Sequence, residues 1–177
     1  MTASVTLLLF AGTLAWGLAW RRSGDQLAPR VSPEGWAISF QPPRRMPSLR
    51  SLSTSLGPAY LFNGPTRSGT AAVLVVYRLT DPIPTDALSV CLRVLNASMF
   101  LPPSHDAGTR PKPIRTKLGS REAVEVRSAR LGMIVRAVVV DRTEAYAVAV
   151  GIEGTGMDPD AYRLFNLTCE SVEFHSP

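Results

Sequence analysis

The sequence predicts an α+β protein: one N-terminal transmembrane helix followed by an antiparallel β-sheet packed with two main α-helices. Three observations predict it. Residues 2–20 carry no charge and end on the pair Arg21-Arg22. Beyond them, runs of alternating or continuous apolar residues recur between turn signals, the pattern of strands joined by hairpins. Two stretches instead carry apolar residues at helical spacing, Leu88, Cys91, Leu92 and Leu95 in one and Ala161, Leu164, Phe165 and Thr168 in the other.

The first expectation concerns the N-terminus. Residues 3–20 as a helix would be roughly 27 Å long, just enough for the hydrocarbon core. Leu7, Leu8, Leu9, Phe10, Leu14 and Leu18 supply favourable transfer energy, and Trp16, Trp20, Arg21 and Arg22 would mark the membrane interface. A cleaved signal peptide is the competing reading. Gly17-Leu18-Ala19 makes a weak cleavage site, and Met1-Thr2-Ala3-Ser4 lacks a positive n-region, which favours an uncleaved anchor. Basic residues follow the segment and none precedes it, so the positive-inside rule places the domain on the cytoplasmic side of a bacterial inner membrane. Ala11, Ala15 and Ala19, with Gly12 beside them, line one face with small residues, the type that lets membrane helices pack closely.

The organisation expected is therefore a transmembrane helix over residues 1–22, a polar linker over 23–33 and one α+β extramembrane domain over 34–177. A remainder of that length holds one core.

Within the domain, Trp36, Ile38 and Phe40 alternate as in a half-buried strand, and prolines make residues 41–48 irregular. Residues 59–62 and 70–80 read as strands joined by turn material at 63–69. Thr85 or Asp86 caps a helix running to Ala97. Residues 101–113 form a long proline-rich loop; loops of that length in compact domains often serve binding. Pro102, Pro103, His105, Arg110 and Lys112 are its candidate partner-binding residues. Strands follow over residues 121–131, 133–140 and 145–152, with a tight turn at 141–144. The last helix takes Asp158 as its N-cap and Pro159 at its first position, and residues 171–174 form an extended tail. Hairpin-joined strands give an antiparallel sheet, with helices on one face or at the ends.

The formal net charge is +5, and all the basic side chains except Lys112 and Lys117 are arginine. A basic domain tied to a membrane is drawn to anionic headgroups. The arginines are dispersed and no recognition helix stands out, which argues against nucleic acid. Cys91 and Cys169 fall on predicted helices and read as buried free thiols. Two Cys and two His at scattered positions build no metal cluster of known spacing. Gly151, Gly154 and Gly156 do not have the dinucleotide-binding spacing. His105 beside Asp106 lacks a third group to orient it. Glu122 and Glu125 point to opposite sides of a strand and read as solvated charges. No cofactor, small-molecule substrate or enzymatic activity is expected.

Several short strings resemble the PsbP-like group of small α+β domains: Gly35-Trp36-Ala37-Ile38-Ser39-Phe40, Gly119-Ser120-Arg121-Glu122, Ala145-Tyr146-Ala147-Val148, and Phe165 with Ser171-Val172-Glu173-Phe174. The resemblance implies an antiparallel sheet with packed helices. It also implies an extrinsic or anchored protein that serves as an accessory or assembly subunit of a membrane complex such as photosystem II. The expected function is a non-catalytic, single-span accessory subunit that stabilises or assembles a larger membrane complex, photosynthetic or respiratory. Its partners would be integral membrane subunits and membrane lipid. The alternative is a membrane-tethered module binding a small ligand or lipid headgroup.

Overall fold

The computed structural model describes residues 27–46, 50–80, 82–97, 112–128, 132–152 and 158–175. Nine strands and two helices are described: β1 (Ile38–Ser39), β2 (Arg50–Thr54), β3 (Gly57–Pro65), β4 (Ala71–Leu79), α1 (Ala87–Ala97), β5 (Ile114–Leu118), β6 (Arg121–Ser128), β7 (Met133–Val139), β8 (Ala145–Ile152), α2 (Pro159–Glu170) and β9 (Glu173–Phe174). Seven strands form one antiparallel sheet in the order β2-β3-β4-β8-β7-β6-β5. β1 and β9 pair separately, Ile38 opposite Phe174.

The fold expectation is corrected in two respects. First, the fold is dominated by the sheet, and among the described residues no helix is long and apolar enough to cross a membrane. The longest, α2, has 12 residues; that length rises about 18 Å, well short of a hydrocarbon core of about 30 Å. It also carries Asp160, Arg163 and Glu170. The segment read as an anchor lies outside the described residues. Second, the helices do not share a face of the sheet. They lie on opposite faces, each over its own apolar cluster.

The sequence of β8 explains the two-sided packing. Its residues are buried from Ala145 to Gly151. Tyr146, Val148 and Val150 point to the α2 face, while Ala145, Ala147 and Ala149 point to the α1 face. With a side-chain period of two, large residues fill one side and small ones the other. The alanine row lets α1 settle close to the sheet through Val90, Cys91, Val94 and Leu95. α2 packs through Ala161, Leu164, Phe165 and Cys169. Burying each of its large apolar side chains contributes about 1.5–3 kcal/mol.

Residues 27–46 form a strap across the α2 face beside that helix. Val31 and Phe40 exchange backbone hydrogen bonds at 2.8 and 3.0 Å, and Ala28 N–H donates to Pro42 O at 2.8 Å. Ile38, Phe40 and Met46 sink into the cluster with Phe62, Leu74 and Val76. Residues 27–33, within the stretch read as linker, therefore lie against the fold. The C-terminal tail closes over the strap: His175 N–H donates to Ala37 O at 2.8 Å, and Gln41 N–H donates to Ser171 Oγ at 2.8 Å. Beneath the tail the β5–β6 turn passes at Gly119, whose φ is +55°. A Cβ there would lie 2.1 Å from Val172 O, so only glycine fits.

Candidate functional site

Among the described residues, four clusters of chemistry-bearing residues stand out. The most buried lies between β6, β7 and α2. Register places Glu125 directly opposite Arg136, both pointing to the α2 face. Glu125 is 1% exposed and Arg136 5%. Arg136 Nη2 donates to Glu125 Oε2 at 2.5 Å and to Asn166 Oδ1 at 2.6 Å, and Nη1 donates to Lys117 O at 3.1 Å. Its guanidinium lies 5.0 Å from the Phe165 ring centre. Arg127 Nε donates to Glu125 Oε1 at 2.6 Å and its guanidinium stacks over Tyr162 at 4.4 Å. The reading of Glu125 as a solvated charge is thus overturned: cross-strand pairing with Arg136 under a helix takes it out of water. The two acids do diverge as the strand period requires, since Glu122 is exposed.

This cluster is saturated. Both carboxylate oxygens of Glu125 accept from arginines, and Arg136 is bonded to three elements. Such a charge is held for structure and is poorly placed to move a proton.

The second cluster sits where the strap crosses the sheet. Trp36 stands edge-on to Tyr60 at 5.3 Å and beside Tyr146 at 5.8 Å. Ala37 N–H donates to the Tyr146 hydroxyl at 2.8 Å, and that hydroxyl donates to Glu144, which Arg78 pairs at 2.9 Å. Burial, then the Glu144 bond, push the Tyr146 hydroxyl well above its ordinary range, so it stays protonated.

The third cluster caps α2. Asp158 Oδ1 accepts from Asp160 N at 2.7 Å and Ala161 N at 3.2 Å. Its Oδ2 accepts from Ser68 Oγ at 2.6 Å and Thr66 Oγ1 at 3.0 Å, tying the β3–β4 loop to the helix. Desolvation works against this carboxylate, but the bonds from Ser68, Ala161, Thr66 and Asp160 outweigh it and hold its pKa below the usual value. Asp160 accepts from Arg67 N–H at 2.6 Å.

The fourth is a groove of about 590 Å³ between the β2–β3 turn and α1, lined by Ser55, Leu56, Ser89, Leu92, Arg93, Asn96 and Ala97. It is shallow and open. Leu92 is 37% exposed. Arg93 donates to Pro82 O, which anchors its guanidinium at the helix side. The turn opposite is closed by side-chain hydrogen bonds: Thr54 Oγ1 donates to Gly57 O at 2.7 Å and accepts from Leu56 N at 3.2 Å.

Cys91 and Cys169 are free and buried on opposite faces. Burial pushes the Cys91 thiol up to about 12 and raises Cys169 further, which makes both poor nucleophiles. Among the described residues no group of His, Cys, Asp and Glu could hold a metal ion.

Of the residues singled out from sequence, Lys112 is exposed just before β5. Ala11, Gly12, Ala15, Trp16, Ala19, Trp20, Arg21, Arg22, Pro102, Pro103, His105 and Arg110 lie outside the described residues. The Glu125–Arg136 pair and the α1 groove were missed. A signal for the first existed: Arg136 is the one charge in an otherwise apolar strand. Extending the register outward from the Ser128–Met133 pair places it opposite Glu125.

No family model matches the sequence, and no curated protein does. Nothing in these comparisons or in the described residues supports the expectation of a photosynthetic or accessory subunit.

Proposed function

We propose that this domain is a non-catalytic binding module that docks a partner protein in the groove beside α1. One observation carries the reading. The buried charges and hydroxyls on the α2 face bond to one another, whereas the groove offers an exposed leucine framed by an anchored arginine, Asn96 and a hydrogen-bonded turn. An apolar residue ringed by oriented polar groups is the composition of a protein-docking surface. The space between the sheet and each helix is filled, by apolar clusters on both faces and by the Glu125–Arg136 pair under α2, which favours a surface partner over an enclosed small ligand.

The test is a comparison of full-length variants expressed in the native host. Leu92→Glu should abolish co-purification of a stoichiometric partner and leave the circular dichroism spectrum unchanged. Arg142→Glu, in the exposed β7–β8 turn, should retain the partner. Equal partner recovery from Leu92→Glu and wild type would refute the reading.

A further inference from the structure

The two edges of the seven-stranded sheet differ. At one edge β5 presents Ile114-Arg115-Thr116-Lys117-Leu118, flanked by the exposed Lys112 and Arg121. Charged side chains of this kind keep an edge strand from pairing with another chain. At the other edge β2 reads Arg50-Ser51-Leu52-Ser53-Thr54 and is uncharged after its first residue. Ser51 and Ser53 are exposed and Leu52 half-buried, and among the described residues no strand pairs with its outer side. Among the described residues, β2 after Arg50 has no charge, no proline and no covering strand.

The alternation of hydrogen bonds decides which groups that edge offers. Ser53 lies opposite Pro58, which has no N–H and cannot exchange a mutual pair of bonds with it. The bonded pairs are then Leu52–Ala59 and Arg50–Leu61, so Ser51 and Ser53 turn their N–H and C=O groups outward.

We infer that β2 is a self-association edge, and that a second copy of this chain pairs with it antiparallel about a two-fold axis through Leu52. In that register Ser51 of one copy faces Ser53 of the other, and each of the two pairs exchanges both bonds. Leu52 faces its own counterpart in the close, non-bonded position, where antiparallel Cα atoms stand about 4.5 Å apart. The arrangement is isologous and closed, so it ends at two copies. β5 is excluded from the same role, because antiparallel pairing about Thr116 would set Arg115 of one copy against Lys117 of the other. The small side chains of Ser51 and Ser53 leave the backbone reachable. The hairpin bonds of Thr54 hold the strand extended before a second copy arrives. This inference stands independently of the groove beside α1.

The test is disulfide trapping in the full-length chain. Cysteine at position 52 would bring two Cα atoms within the 4.4–6.8 Å span that a disulfide bridges, and the native thiols are buried. Under mild oxidation at micromolar concentration, Leu52→Cys should run as a covalent dimer on a non-reducing gel, and Thr116→Cys, at the centre of β5, should remain a single chain. Light scattering should give a mass of two chains for the wild type and one chain for Ser51→Lys/Ser53→Lys. A wild-type mass of one chain, absence of trapping at position 52, or equal trapping at 52 and 116 would each overturn the proposal.

Discussion

The two faces of the central sheet are closed by different physics. On the α2 face, a strap, a helix and a tail are pinned by directional bonds: Glu125 with Arg136, Tyr146 with Ala37 and Glu144, Asp158 with Ser68 and Thr66. On the α1 face the chief cover is one helix lying on a row of alanines, where the Cys91 thiol donates to Val124 O at 3.2 Å. Beyond that helix, Leu61 and Val73 stay only partly buried. Polar networks fix a unique arrangement at the cost of burying charge. Apolar packing on small residues needs only shape. A face closed by shape alone can leave an edge and a groove open, which is where both proposed contacts fall.

The sharpest way to break this contrast is to remove one partner of the buried pair. Arg136→Met leaves Glu125 charged, buried and short of its main donor, and should destabilise the fold by about 3–5 kcal/mol. The double variant Glu125→Leu/Arg136→Met removes the orphaned charge and should recover most of that loss. Urea denaturation of the two variants checks the claim. A single variant within about 1 kcal/mol of wild type would show that the pair is not the fastening of this face.

The α1 face should answer to volume instead. Ala147 is fully buried beneath α1. Ala147→Leu pushes the helix off its seat and should cost about 1–3 kcal/mol. Ala147→Gly removes one methyl and should cost less. If Ala147→Leu were tolerated without loss, α1 would not be held by close approach, and thermal melts of the series decide it.

This contrast explains what could be read from the chain alone. β8, both helices and the 141–144 turn were legible because each carries its own signal: periodicity, an Asp-Pro cap, a polar turn between apolar runs. Val140 and Asp141 N–H indeed both donate to Glu144 O. β2 and β5 were illegible because each is only five residues long and mostly polar: β2 has Leu52 as its one apolar residue, and β5 has only Ile114 and Leu118 at its ends. Asn63 and Gly64 read as turn but pair with Val73 and Ala72. Arg45 O lies where a Gly64 Cβ would stand, so that glycine serves the crossing of the strap. The alternation at Trp36, Ile38 and Phe40 and the extended tail at 171–174 were legible, but the pairing of β1 with β9 was not, because it depends on the strap and the tail meeting. The groove is a relation between a helix side and a distant turn, so its residues give no sign of it in sequence.

A smaller effect separates the faces by pH. Asp158 has its folded pKa below the unfolded value of about 3.9. Its contribution is therefore fully present above about pH 5 and is lost as pH falls through the folded pKa. Asp158→Ala should cost about 0.5–2 kcal/mol at neutral pH. It should also flatten the stability profile between about pH 5 and 2, because a carboxylate that is absent cannot be protonated. Urea midpoints across that range measure it. A profile as steep as wild type would assign the acid sensitivity to other carboxylates.

The smallest expected effect falls on the groove, and its smallness is the point. Leu92 is exposed enough that Leu92→Ser should change stability by no more than about 0.5 kcal/mol. Its helical neighbour Cys91 is fully buried, so Cys91→Ser sets a hydroxyl against the same sheet carbonyls and should cost more than Leu92→Ser. Adjacent positions with opposite sensitivities would place the boundary between core and surface along a single turn of α1. If Leu92→Ser were the costlier of the two, Leu92 would belong to the core, and the groove would lose the exposed apolar residue on which its proposed role depends.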